Sequence, residues 1–151
     1  MLKEKISFGN NIKYISSYLP TTQLSRPLLG SSVSAGFPSP AQDYIESELD
    51  LNEYLITHPA ATYFVRVAGN SMINAGIFDN DILIVDRAIE PINKKIVIAI
   101  LDGELTVKRL YIRDGHWYLS PENSSFPNLE ITPDSDLIIW GVVIYSIHPT
   151  R

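Results

Sequence analysis

Apolar and polar positions change rhythm at Ala61. Beyond it, short β-branched and aromatic runs alternate with polar residues and are broken by turn residues, which predicts strands over 62–68, 82–86, 96–101, 104–112, 117–120 and 137–146. Asp102-Gly103 lies between two of these runs, and Asp114-Gly115 between the next two. Both dipeptides suit a two-residue hairpin turn, whose central positions need positive φ. No helical pattern separates the runs, so the body reads as mainly β and antiparallel rather than as βαβ units.

Upstream the pattern is different. Residues 41 to about 58 read as a helix, with Asp43 and Glu46 in its first turns and Pro59 as its stop. Tyr44, Leu51, Tyr54 and Leu55 would share a face. Leu49-Asp50-Leu51-Asn52 is a weak point that would divide it into two short helices. Before it, Phe37-Pro38-Ser39-Pro40 disfavours helix, and the small side chains of Ser31-Ser32-Val33-Ser34-Ala35-Gly36 suit an extended, flexible segment. Residues 1–35 therefore read as an arm and 36–151 as the folded body.

Composition narrows the classes. A chain of 151 residues, 45% hydrophobic and 19% charged, supports one compact domain with an arm. The longest apolar run, residues 137–147, contains Gly141 and is well short of the roughly 20 residues that cross a bilayer. The first residues lack the apolar stretch of a secretory signal, so the cytoplasm is expected and no membrane partner is. There is no cysteine, hence neither a disulfide framework nor a thiol nucleophile. Charge is uneven. Lys3, Lys5, Lys13 and Arg26 against Glu4 give residues 1–35 a net +3, leaving 8 basic and 16 acidic groups, −8, in the remainder. So acidic a body argues against direct DNA binding, which draws on clustered Lys and Arg.

The candidate chemistry is short. His58, His116 and His148 are scattered without metal-ligand spacing, and no cofactor is implied. No Gly-x-Ser-x-Gly elbow, phosphate-binding loop or dinucleotide glycine pattern occurs. What remains is Gly69-Asn70-Ser71-Met72, directly after a predicted strand. A serine at such a glycine-assisted turn has an exposed hydroxyl, and the neighbouring N–H groups of Ser71 and Asn70 could face a developing oxyanion. The second element is Lys108. Strand alternation puts Glu104, Thr106, Lys108 and Leu110 on one face and Leu105 and Val107 on the other. To act as a base the lysine must be desolvated, and Thr106 could hydrogen-bond its neutral amine.

These residues resemble a known family. Gly69-Asn70-Ser71-Met72, followed by Gly76-Ile77-Phe78-Asp79-Asn80-Asp81-Ile82-Leu83-Ile84-Val85-Asp86, is similar to the nucleophile segment of the LexA/UmuD/phage-repressor self-cleaving peptidases. Asp102-Gly103-Glu104-Leu105-Thr106-Val107-Lys108-Arg109-Leu110 resembles the hairpin that carries their lysine, and Ala35-Gly36 resembles their cleavage bond. The UmuD branch is the nearer match, through Ala35-Gly36-Phe37-Pro38-Ser39-Pro40-Ala41, Asp50-Leu51-Asn52 and His58-Pro59-Ala60-Ala61-Thr62-Tyr63-Phe64-Val65. Asn80 stands where a glycine is usual, and because Asn tolerates positive φ the turn should survive.

The resemblance implies a fold, a mechanism and partners. The fold would be compact, strongly bent antiparallel sheets with one or two short helices and an extended N-terminal arm. Ser71 would be the nucleophile and Lys108 its base, with Asn70 and Gly69 shaping the oxyanion turn, Thr106 and Met72 in support, and self-cleavage at Ala35-Gly36. A homodimer, stimulation by a RecA–single-stranded-DNA filament and service to a UmuC-like Y-family polymerase are its implied partnerships. Three other readings are a LexA-like or phage repressor with the same peptidase domain, a signal-peptidase-like enzyme acting on other proteins, and a non-enzymatic β-module.

Overall fold

The computed structural model describes residues 7–8, 11–18, 23–29 and 45–150. In chain order the strands are β1 Ser7–Phe8, β2 Ile12–Ser17, β3 Ser25–Leu29, β4 Ile45–Asp50, β5 Thr62–Val67, β6 Ile82–Asp86, β7 Ile96–Leu101, β8 Glu104–Arg113, β9 His116–Ser120, β10 Leu129–Ile131 and β11 Leu137–Ile147, with one helix, α1 Leu51–Leu55. The described residues fall into two compact units, one drawn from Met1–Tyr18 with Ala60–Arg151, the other from Leu19–Pro59.

The larger unit is one sheet in the order β10-β9-β8-β7-β11-β6-β5-β2, antiparallel throughout, with β1 added in parallel against the start of β8. The expected hairpin turns form: Asp102 and Gly103 have φ of 49° and 84°, Asp114 and Gly115 of 50° and 75°. Asn80, at φ 71°, takes the left-handed conformation foreseen for it. The near-continuous apolar runs of β6 and β7 are explained by burial on both faces. One core gathers Val65, Met72, Leu83, Val85, Ile98, Leu105 and Trp140. The other gathers Val97, Ala99, Leu110, Leu119 and Val142. Strand β8 feeds both, sending Leu105 and Val107 one way and Leu110 the other.

Gly141 is where β11 slips register against β7, between Ile139 and Gly141. A Cβ there would lie 2.5 Å from Val85 Cγ1 and 3.3 Å from Arg87 Cγ. Val85 is wholly buried and β-branched, so it cannot swing aside. Gly141→Ala is therefore expected to cost about 1–3 kcal/mol by overpacking. Urea denaturation would show this as a lower midpoint with an unchanged slope.

The smaller unit corrects the sequence reading. The helix expected over 41 to about 58 is realised as α1 alone, while Ile45–Asp50 pairs antiparallel with Ser25–Leu29. Residues 41–44 lie outside the described residues. Ile45 and Leu49 are four apart, which fits a helical face, but Ile45-Ser47-Leu49 also alternates, and the partner strand decides between the two. Asp50 marks the break. Its Oδ1 accepts from Asn52 N at 2.9 Å, capping α1, and its Oδ2 accepts from Leu24 N at 3.0 Å. Among the described residues no helix is long and apolar enough to cross a membrane.

Candidate active site

Strand β5 ends at Val67 and the chain turns through Gly69, whose φ of +80° suits a residue without Cβ. The Gly69 N–H donates to Asp79 Oδ1 at 2.8 Å, and Val67 and Asn80 tie the turn to the next one through Val67 N to Asp81 O at 3.0 Å and Asn80 N to Val67 O at 3.1 Å. On the far side Asn123 Nδ2 donates to Asn70 O at 2.9 Å. Met72 follows Ser71 into the core, and its carbonyl accepts from Ala75 and Ile77. Ser71 is thus held between a turn fixed on one side and a buried anchor on the other. Contrary to the exposed hydroxyl expected of such a turn, it is buried at 6% exposure because Asn11 packs over it.

Lys108 comes from the middle of β8, opposite Val97 of β7. It is 8% exposed. Its Nζ donates to Thr106 Oγ1 at 2.9 Å and to the Val107 carbonyl at 3.0 Å, and among the described residues no ion pair holds it. Burial therefore acts unopposed and lowers its pKa from 10.5 to about 8. The predicted sharing of a face by Thr106 and Lys108 is realised as a hydrogen bond.

A cavity of about 260 Å³ brings the two residues together. Gly69, Asn70, Ser71, Thr106 and Lys108 line it, with Leu101, Leu105, Phe126 and Leu129 supplying an apolar wall. Among the lining residues there is no histidine. His148 sits elsewhere, its Nδ1 3.3 Å from Asp81 Oδ2, beside Ser146 and Phe78. Among the described residues no group of His, Cys, Asp and Glu could hold a metal ion. Ala35 and Gly36 lie outside the described residues.

Sequence reasoning missed the apolar wall and, among the polar lining residues, Asn11. Its Nδ2 donates to the Val107 carbonyl at 3.1 Å and to Ser71 Oγ at 3.4 Å, and its own carbonyl accepts from Ala68 N at 2.8 Å. Its partners lie 60 and 96 residues away, so no local pattern could have found it. A hydroxyl, an amine whose charged form is penalised, and an amide donor in an apolar-walled cleft make a set suited to acyl transfer.

The comparisons with known proteins point the same way. The family model described as Peptidase S24-like matches residues 27–144. The chain is 50% identical over 126 residues to Protein ImpA of Escherichia coli, covering 83% of this chain and 86% of that one. It is 48% identical over 128 residues to Protein MucA of Salmonella typhimurium, covering 83% and 87%. It is 35% identical over 145 residues to the LexA repressor of Bordetella parapertussis, covering 91% of this chain and 67% of that one.

Proposed function

The chain belongs to the peptidase S24-like family, that of the LexA/UmuD self-cleaving peptidases, and on that footing we propose that it cleaves itself between Ala35 and Gly36 by a Ser71/Lys108 dyad. The observation that carries the reading is that Ser71 and a buried Lys108, hydrogen-bonded to neutral groups, line one cavity. Neutral Lys108 takes the Ser71 hydroxyl proton as Oγ attacks the Ala35 carbonyl carbon. The tetrahedral intermediate collapses as Lys108 returns that proton to the Gly36 nitrogen, breaking the peptide bond. Water, deprotonated by Lys108, then attacks the acyl-enzyme, and Ser71 leaves with the proton. Holding the scissile bond in the same chain raises its effective concentration enough for a modest base to complete one turnover.

The product, residues 36–151, would serve in the cytoplasm as the accessory subunit of an error-prone translesion polymerase of the UmuC-like Y family, as a homodimer. Cleavage would be stimulated by a RecA–single-stranded-DNA filament that binds the competent state preferentially. The UmuD-like motifs support this over the repressor reading, as do the identities of 50% to ImpA and 48% to MucA against 35% to the LexA repressor. Residues 1–35 would be the arm that is removed.

Incubation at pH about 10, where Lys108 with its pKa of about 8 is neutral, tests the reading directly. Intact mass and N-terminal sequencing should find a fragment that begins at Gly36. A chain that stays whole both at that pH and with an activated RecA filament would overturn it. Specific duplex-DNA binding by the uncut chain would instead favour the repressor.

A further inference from the structure

Asn11, which precedes the scissile bond in sequence, lies beside the proposed nucleophile and has no part in the mechanism above. We propose that Asn11 is a hydrogen-bond donor to the nucleophile, so that the arm supplies part of the centre that cuts it. This rests on the Ser71/Lys108 reading.

Three observations carry it. Asn11 is buried at 8% exposure, and its side chain points into the cavity that Ser71 and Lys108 line. The Val107 carbonyl can only accept, so the side-chain atom facing it at 3.1 Å must be the amide nitrogen. That same nitrogen is the atom 3.4 Å from Ser71 Oγ. The Val107 carbonyl also accepts from Lys108 Nζ at 3.0 Å, so one oxygen holds the amide and the amine in a fixed arrangement. Structurally Asn11 is placed without using its side chain, because its main-chain carbonyl takes the Ala68 N–H and Ile12 beside it enters the core.

The chemistry follows from the inventory of the hydroxyl. Serine oxygen has two lone pairs and one proton. A donor on one lone pair helps to turn the proton towards Lys108. As the proton leaves, negative charge grows on Oγ and the contact becomes charge-assisted, so it strengthens during the step rather than before it. Sequence spacing cannot reveal such a residue, since its role exists only once β2 has paired with β5.

Full-length Asn11→Ala and Asn11→Asp, with Ser71→Ala as reference, test this. Asn11→Ala should fold, by its thermal midpoint, and cleave itself about tenfold more slowly or worse. Among the residues lining the cavity the ionisable ones are Lys108 and Glu104. Asn11→Asp adds a carboxylate beside Lys108, favours the ammonium, and should move the midpoint of the pH–rate profile upward. That shift reads only the closeness of position 11 to Lys108. A residue that merely tethers β2 would slow cleavage together with a lower thermal midpoint in Asn11→Ala, whereas a lost donor slows it with the thermal midpoint unchanged. Wild-type rates and an unmoved midpoint in these variants, with Ser71→Ala uncut, would overturn the role of Asn11 and leave the dyad standing. If Asn11→Ala fails to fold, the plateau rate of Asn11→Asp decides alone, since Lys108 is neutral there and a carboxylate cannot donate. About tenfold below wild type is expected, and a wild-type plateau would overturn the role. Cleavage of Ser71→Ala would instead remove the dyad and this inference together.

Discussion

Self-cleavage should fall by about 10³-fold or more in Ser71→Ala and in Lys108→Ala, each measured as a first-order rate in the full chain. The first removes the atom proposed to attack, the second the group proposed to take its proton. Lys108→Arg is the sharper variant: it keeps a positive charge at the same place in β8, yet arginine does not give up its proton. It should therefore be as inactive as Lys108→Ala. An arginine variant that cleaved normally would mean that charge, not proton transfer, is what the site needs. The Ser71→Ala/Lys108→Ala double variant should be no slower than either single one, since both act in one step. In wild type the rate should climb from pH 6, pass its midpoint near 8 where half of the lysine is neutral, and level off about one pH unit higher.

Burial of Lys108 also predicts a stability effect of opposite sign to the usual ion-paired lysine. Its folded pKa of about 8 lies below the ordinary 10.5. Below pH 8 both folded and unfolded chains hold the proton, and the folded chain carries the full cost of a buried ammonium. Between pH 8 and 10.5 the unfolded chain binds more protons, so this group's contribution makes folding more favourable as pH rises. The shift corresponds to roughly 3 kcal/mol. In a Ser71→Ala background, which stays uncut, Lys108→Met should raise stability at pH 7 by about 1–3 kcal/mol, less whatever the Thr106 hydrogen bond returns. By pH 10 the difference should have shrunk. Urea midpoints at the two pH values would read it, and equal differences at both would mean that the lysine is solvated.

Much of this was written locally in the sequence. Strands β6 and β7 have the predicted bounds because short β-branched runs flanked by turn residues have few alternatives. The hairpin turns follow from Asp-Gly pairs, and Ser71 and Lys108 stood out through family-like motifs. What escaped was non-local. Ile45–Asp50 is a strand because Ser25–Leu29 lies beside it, and a helical spacing of apolar residues could not reveal that partner. Likewise the face bearing Glu104, Thr106 and Lys108 reads as solvent-facing by polarity, whereas Lys108 is buried. Asn11 is the extreme case, an unremarked residue whose significance lies in contacts with distant parts of the chain.

Strand β2 has one more consequence. Breaking a peptide bond is not the same event as parting the two pieces. Five residues of β2 stand in register with β5, from Ile12 opposite Val67 to Ser17 opposite Tyr63. Ile12 and Tyr18 are buried, and Tyr18 N donates to Thr62 O at 3.0 Å. A chain cut after Ala35 would therefore first be a nicked pair, its shorter piece still threaded into the sheet of the longer. The hydrolysis would set a clock running, and the unzipping of β1, β2 and β3 from β8, β5 and β4 would decide when a partner could meet the new surface.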